Sequence, residues 1–153
     1  MQPKIFLKIL TIIHTTLTAG LLIFAIFAYY QNQDFIARMD RQSLFTYIVP
    51  IVAAAGYFLS QWIFKKQLEA ITEQEQLSLK LGKYQTASIL KYAVLEGPGL
   101  LALLAYLWTG NALHLVIALA LIVYLFVQRP NAEKIKRELP LNLEEQKQFD
   151  ELI

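Results

Sequence analysis

Apolar residues gather in four long stretches along the chain, Ile5–Tyr30, Leu44–Phe64, Thr86–Trp108 and Ala112–Val127, with polar segments between them. Each is close to the roughly 20 residues that carry a helix across a bilayer core. The fourth is the shortest and draws on Asn111 and Gln128 to complete its span. The pattern predicts an all-α integral membrane protein, built as a four-helix antiparallel bundle with left-handed packing. The spans fall at about 5–30, 44–64, 86–108 and 111–128, so residues 1–128 form the bundle and 129–153 a cytoplasmic tail.

The first stretch starts with Lys4 and Lys8, as a secretory signal would. Its apolar part runs well past the roughly 7–15 residues of a signal core, and no small-x-small cleavage site follows, so a retained helix is expected. Thr109-Gly110-Asn111 reads as a tight turn joining the last two helices. On the inner side the second helix is expected to run to about Gln74, with Gly82 marking a break before the third. In the tail, Arg129-Pro130 stops the fourth helix. Asn131 caps a short helix through Glu138, and Asn142 with Glu145 three residues on is a capping signature for a last amphipathic helix. That helix is expected to gather Leu143, Phe149, Leu152 and Ile153 partly on one face.

Charge placement orients the spans. Lys4, Lys8, Lys65, Lys66, Lys80, Lys83, Arg129, Lys134, Lys136, Arg137 and Lys147 fall on the side of the termini, and only Arg38 and Arg41 on the other. Basic residues favour the cytoplasm, so both termini are expected there. Composition agrees with a membrane protein: 56% hydrophobic and 17% charged residues, where a soluble domain has more charge. The net charge of +2 gives no footprint for nucleic acid. The chain has no cysteine, which removes disulfides and thiolate chemistry.

One span carries an acid. Glu96 lies about eleven residues into the third stretch, about 16 Å deep at roughly 1.5 Å per residue, which is near mid-bilayer. An ionised carboxylate there is costly, so Glu96 calls for a proton or a partner. Gly97-Pro98-Gly99 follows it directly. Pro98 removes a helical hydrogen bond, so a kink or local opening of the helix is expected at these three residues. Along the same face lie Tyr92 and Gly99. On the first helix Thr11, His14, Thr15 and Thr18 form one stripe. His14 sits at a depth close to that of Glu96, so the two side chains are expected to approach, directly or through water. Tyr57 on the second helix could reach the same level. The ion- or proton-binding candidates are therefore Glu96, His14, Tyr92, Tyr57 and Thr15. The bland reading is a packing kink, with His14 bonded to one fixed partner. Lys91, on another face, is expected to snorkel toward the cytoplasm, and His114 to be an interfacial residue without chemistry.

Two resemblances arise at these residues. Ala93, Glu96, Gly99, Leu100 and Ala102 are similar to the carboxylate helix of rotary ATPase ring subunits, which implies an acid presented to the membrane. The likeness covers about one helix. No partner helix carries the glycine repeat of those rings, and Pro98 stands outside their pattern. More broadly, the Leu95–Leu100 helix, the tight hairpin, the Arg129-Pro130 stop and the charged tail resemble small uncharacterised four-span proteins of bacterial inner membranes. That resemblance implies a fold and a location, and no activity.

No phosphate-binding glycine loop, HExxH, Gly-x-Ser-x-Gly or aspartate cluster occurs, so no enzyme, metal or cofactor is expected. The expectation is a non-enzymatic membrane subunit or scaffold, in contact with the lipid bilayer and with copies of itself or another membrane subunit. The alternative is a proton- or cation-handling component of a channel or transporter centred on Glu96.

Overall fold

The computed structural model describes residues 2–33, 35–37, 39 and 43–151. Arg38, Arg41, Leu152 and Ile153 lie outside them. Among the described residues six helices follow one another: α1 (Pro3–Asn32), α2 (Phe45–Glu69), α3 (Leu77–Thr109), α4 (Ala112–Val127), α5 (Ala132–Glu138) and α6 (Leu143–Asp150). Three of them, α1 to α3, are long and apolar enough to cross a membrane. α4 meets that test only together with α5, which bends away from it by 82°. Ile23, Ile51, Phe58, Val123 and Phe126, among others, stand exposed on the helix surfaces. So much exposed apolar side chain suits lipid and would be a liability in water.

α3 is the central element. Half of its apolar window is buried, against 28% for α1 and 22% for α2. It packs on α1, α2 and α4, while α1 and α2 share no extended contact. Its buried stripe runs Leu81, Tyr84, Ser88, Tyr92, Leu95, Gly99, Ala102 and Tyr106, at the three-and-four spacing of a helical face. At one end Asn32 of α1 donates to the Tyr106 carbonyl of α3 at 2.7 Å. There Gly110 ends α3 in the left-handed conformation, φ 65°, and Asn111 starts α4 by accepting from the Leu113 amide. Glycine suits that position because its lack of a Cβ removes the steric penalty.

Two expected boundaries differ. α2 ends at Glu69 rather than near Gln74. Thr72 turns the chain by donating its amide and hydroxyl to the Glu75 carboxylate, and Glu75 pairs with Lys83 at 2.7 Å. α3 begins at Leu77 and passes through Gly82 without a break. A helix held by packing on both sides of one glycine tolerates its weaker propensity.

The tail folds back on the helices. Asn131 accepts from the Lys134 amide, and Asn142 with Glu145 forms a reciprocal capping box. Phe149 is fully buried, whereas Leu143 is 77% exposed, so these two do not share the face expected of them. The reason is the anchor: Lys80 of α3, itself fully buried, bonds both Glu145 and the Pro140 carbonyl.

Candidate functional site

Residues 97–99 of α3 face three ways, and each finds a different environment. Pro98 is buried against α2, where a Cβ placed on Gly56 would come within 2.5 Å of its Cγ. The same hypothetical Cβ would lie 3.2 Å from the Val94 carbonyl. Val94 is the residue one turn before Pro98, so this carbonyl is the one that proline leaves without its helical donor. Gly99 faces α1, where Leu21 approaches to 3.3 Å of an added Cβ. Gly97 faces outward, and a Cβ there would meet nothing within 4 Å. The three residues do not break the helix: α3 is continuous from Leu77 to Thr109. Close seating of Gly56 supports the backbone at the point where proline weakens it.

Glu96 is half-buried on the rim of α3's outward stripe, formed by Thr86, Leu90, Ala93, Gly97 and Leu100. It makes no hydrogen bond or ion pair to any described residue. The expected approach of His14 is replaced by another bond. His14 is buried, and its Nε2 donates to the Leu125 carbonyl of α4 at 2.7 Å. Leu125 belongs to the last turn of α4, where its carbonyl also accepts from the Gln128 amide at 3.0 Å in place of a full helical bond. His14 thus serves as a cap supplied by α1. Its ring also meets that of Tyr92 edge-on, with centroids 4.9 Å apart. Thr18 holds the backbone beneath by donating to the His14 carbonyl at 2.8 Å.

The other candidates divide accordingly. Tyr92 leans toward the end of α4, its hydroxyl 3.4 Å from the Gln128 carbonyl. Tyr57 is set against Tyr124 of α4, centroids 4.9 Å apart, and Gln61 donates to the Tyr124 hydroxyl. No hydrogen bond joins Tyr57 or Thr15 to Glu96 among the described residues. Thr15 is exposed and lines a groove between α1 and α4. The structure therefore brings His14 and Tyr92 together, and no direct hydrogen bond joins Glu96 to His14 or Tyr57 among the described residues.

Sequence reasoning missed the cluster that closes α4. Lys91 is buried rather than snorkelling: its ammonium lies 4.5 Å from the centre of the Phe64 ring and donates to Gln128 Oε1 at 2.8 Å. Lys134 donates to the same oxygen at 3.0 Å. Cations at the end of a helix complement its partial negative charge. Gln128, one residue past α4, can receive both because Pro130 turns the chain there. Tyr84 marks a second junction, with Phe6 and Phe64 edge-on to its ring and its hydroxyl donating to Glu138 at 2.6 Å. One signal was available: Lys80, Tyr84 and Lys91 fall on the same buried stripe as Leu95. Basic residues on such a stripe need internal acceptors.

His114 is enclosed by the protein itself. It is 0% exposed, and neither ring nitrogen has a hydrogen-bond partner among the described residues. Phe45 stands edge-on to it at 6.5 Å. No group of three or more metal-ligating side chains occurs among the described residues. Compared with protein-family models, with curated proteins and with solved structures, the chain finds no match.

Proposed function

We propose that the chain is a non-enzymatic membrane subunit that packs the outward face of α3 against a transmembrane helix of another copy or another subunit. The observation that carries this reading is Glu96, a carboxyl at mid-span without a partner among the described residues. It borders Ala93 and Gly97, two small residues one turn apart that are both exposed. Small residues at this spacing let two helices approach closely, and a polar side chain beside them adds an interhelical hydrogen bond. Space above Gly97 is open, as a docking helix requires. In this reading α4 is the fourth span of an antiparallel bundle, both termini are cytoplasmic, and the membrane is a bacterial inner membrane. The basic residues Lys65, Lys66, Lys80, Lys83 and Lys134 at one end support that orientation.

The proton- or cation-handling reading rests on the same acid. The geometry supports it less, because the His14 ring is engaged at Leu125 and no second ionisable group bonds Glu96 among the described residues.

Molecular mass in mild detergent tests the proposal. The purified chain is expected as a defined oligomer or with a stoichiometric partner. Gly97→Leu and Glu96→Leu are expected to weaken that association about tenfold while the monomer stays folded. A monomer without a partner would contradict the reading.

A further inference from the structure

α1 and α4 both lean on α3 and touch each other lightly, which leaves a furrow between them. Near the α4 terminus it has a volume of 340 Å³ and is lined by His14, Thr15, Ala19, Leu22, Phe126 and Arg129. Leu22 also lines the next stretch, of 620 Å³, which continues past Ala25 and Ile26 toward Tyr29 and Phe35. Each volume falls in the range of small-molecule sites. Among the described lining residues, one end offers the Tyr29 and Tyr30 hydroxyls, and Arg129 places a full positive charge at the other end only. Arg129 at that mouth is exposed, and its guanidinium has no ion pair or hydrogen bond with any described residue. No acidic side chain lines either stretch among the described residues.

We infer that this furrow holds one anionic phospholipid, with its phosphate on Arg129 and an acyl chain along Ala19, Leu22 and Ala25. An arginine fork matches phosphate oxygens in geometry and charge. Thr15, exposed on the α1 wall, adds a hydroxyl donor one side of the mouth. The apolar walls exclude a free inorganic anion as the natural occupant, since they would leave most of the furrow unfilled. A packed helix would fill the walls but would leave the guanidinium needing a carboxylate at that depth. This site lies on the side of α1 away from Glu96 and does not depend on how the α3 face is used.

Native mass spectrometry of the detergent-purified chain tests the inference, with phosphatidylglycerol and phosphatidylcholine of identical acyl chains as probes. One phosphatidylglycerol per chain is expected to survive activation that strips phosphatidylcholine. A single basic contact near the membrane surface is worth about fivefold in affinity, so Arg129→Gln is expected to lose at least that much, and Arg129→Lys to keep most of it. Ala19→Phe, which fills the furrow and leaves the charge, is expected to reduce binding of both lipids. Equal retention of the two lipids, or no effect of Arg129→Gln in a variant with unchanged melting temperature, would overturn the site. So would displacement of phosphatidylglycerol by inorganic phosphate alone, or protection of the furrow by a second copy in place of lipid.

Discussion

Gly56 of α2 is seated on Pro98 of α3 so closely that a methyl group on Gly56 would reach 2.5 Å from the proline Cγ. Neither side can yield easily, because the proline ring is rigid and both backbones are helical. Gly56→Ala is therefore expected to destabilise the protein by about 1–3 kcal/mol, the usual cost of overpacking a tight contact. Thermal unfolding in detergent reads this directly. An unchanged melting temperature would mean that the two helices separate without penalty.

The buried pair of Lys80 and Glu145 is expected to decide whether the tail stays docked. Glu145 accepts from the Lys80 ammonium at 2.8 Å and from the Asn142 amide at 2.9 Å, so its loss removes an ion pair and a helix cap together. Breaking one side of a buried pair typically costs about 3–5 kcal/mol. Glu145→Ala is expected to release α6, seen as proteolysis or rapid amide exchange across residues 141–151 with the α1–α4 core intact. Continued protection of Phe149 would contradict that.

Much of this was legible in the residues, and the part that was not has a physical reason. Hydropathy alone locates the four apolar stretches, because each is long and bounded by charge. The tail caps were legible too, since Asn131 and Asn142 each act on an amide only three positions away. His14 was legible as a buried position from the stripe it shares with Thr18. Its partner was not, because equal depth cannot tell which neighbouring helix ends beside it and offers a carbonyl with room for a second donor. That required knowing that α4 ends at Val127 and that Leu125 lies in its last turn. Lys91 was misread for the same reason, as Gln128 is 37 residues away in sequence. Gly82 was misread because an open position and a helix break look alike when only the residue type is known.

A pH effect is expected at the turn between α2 and α3. The Lys83 ammonium beside Glu75, helped by the Thr72 amide, holds that carboxyl below its ordinary value of 4.5. A depressed carboxyl contributes stability that is present above the ordinary value and lost as pH falls through the folded one. The protection of the Thr72 amide, taken as exchange relative to the intrinsic rate at each pH, is therefore expected to hold from neutral pH down to about 4.5 and to fall below it. Glu75→Gln should abolish that dependence, and a transition above the ordinary value would contradict the assignment.

His114 carries two buried ring nitrogens without partners among the described residues, which ordinarily costs about 1–3 kcal/mol for an unsatisfied group. Replacing it by leucine, of similar size, is expected to leave stability unchanged or raise it by about 1 kcal/mol. Marked destabilisation of His114→Leu in a thermal melt would mean that the ring serves a bound group.

The central claim concerns the outward face of α3, and photo-crosslinking in native membranes tests it most directly. A photoreactive phenylalanine analogue replaces Leu100, beside Gly97 on that face, or Val123, outward on α4 and 62% exposed. A discrete protein adduct from position 100 and none from position 123 is the predicted result. Lipid adducts alone at position 100 would mean that the face with Glu96 is turned to the bilayer, and the subunit reading would fall.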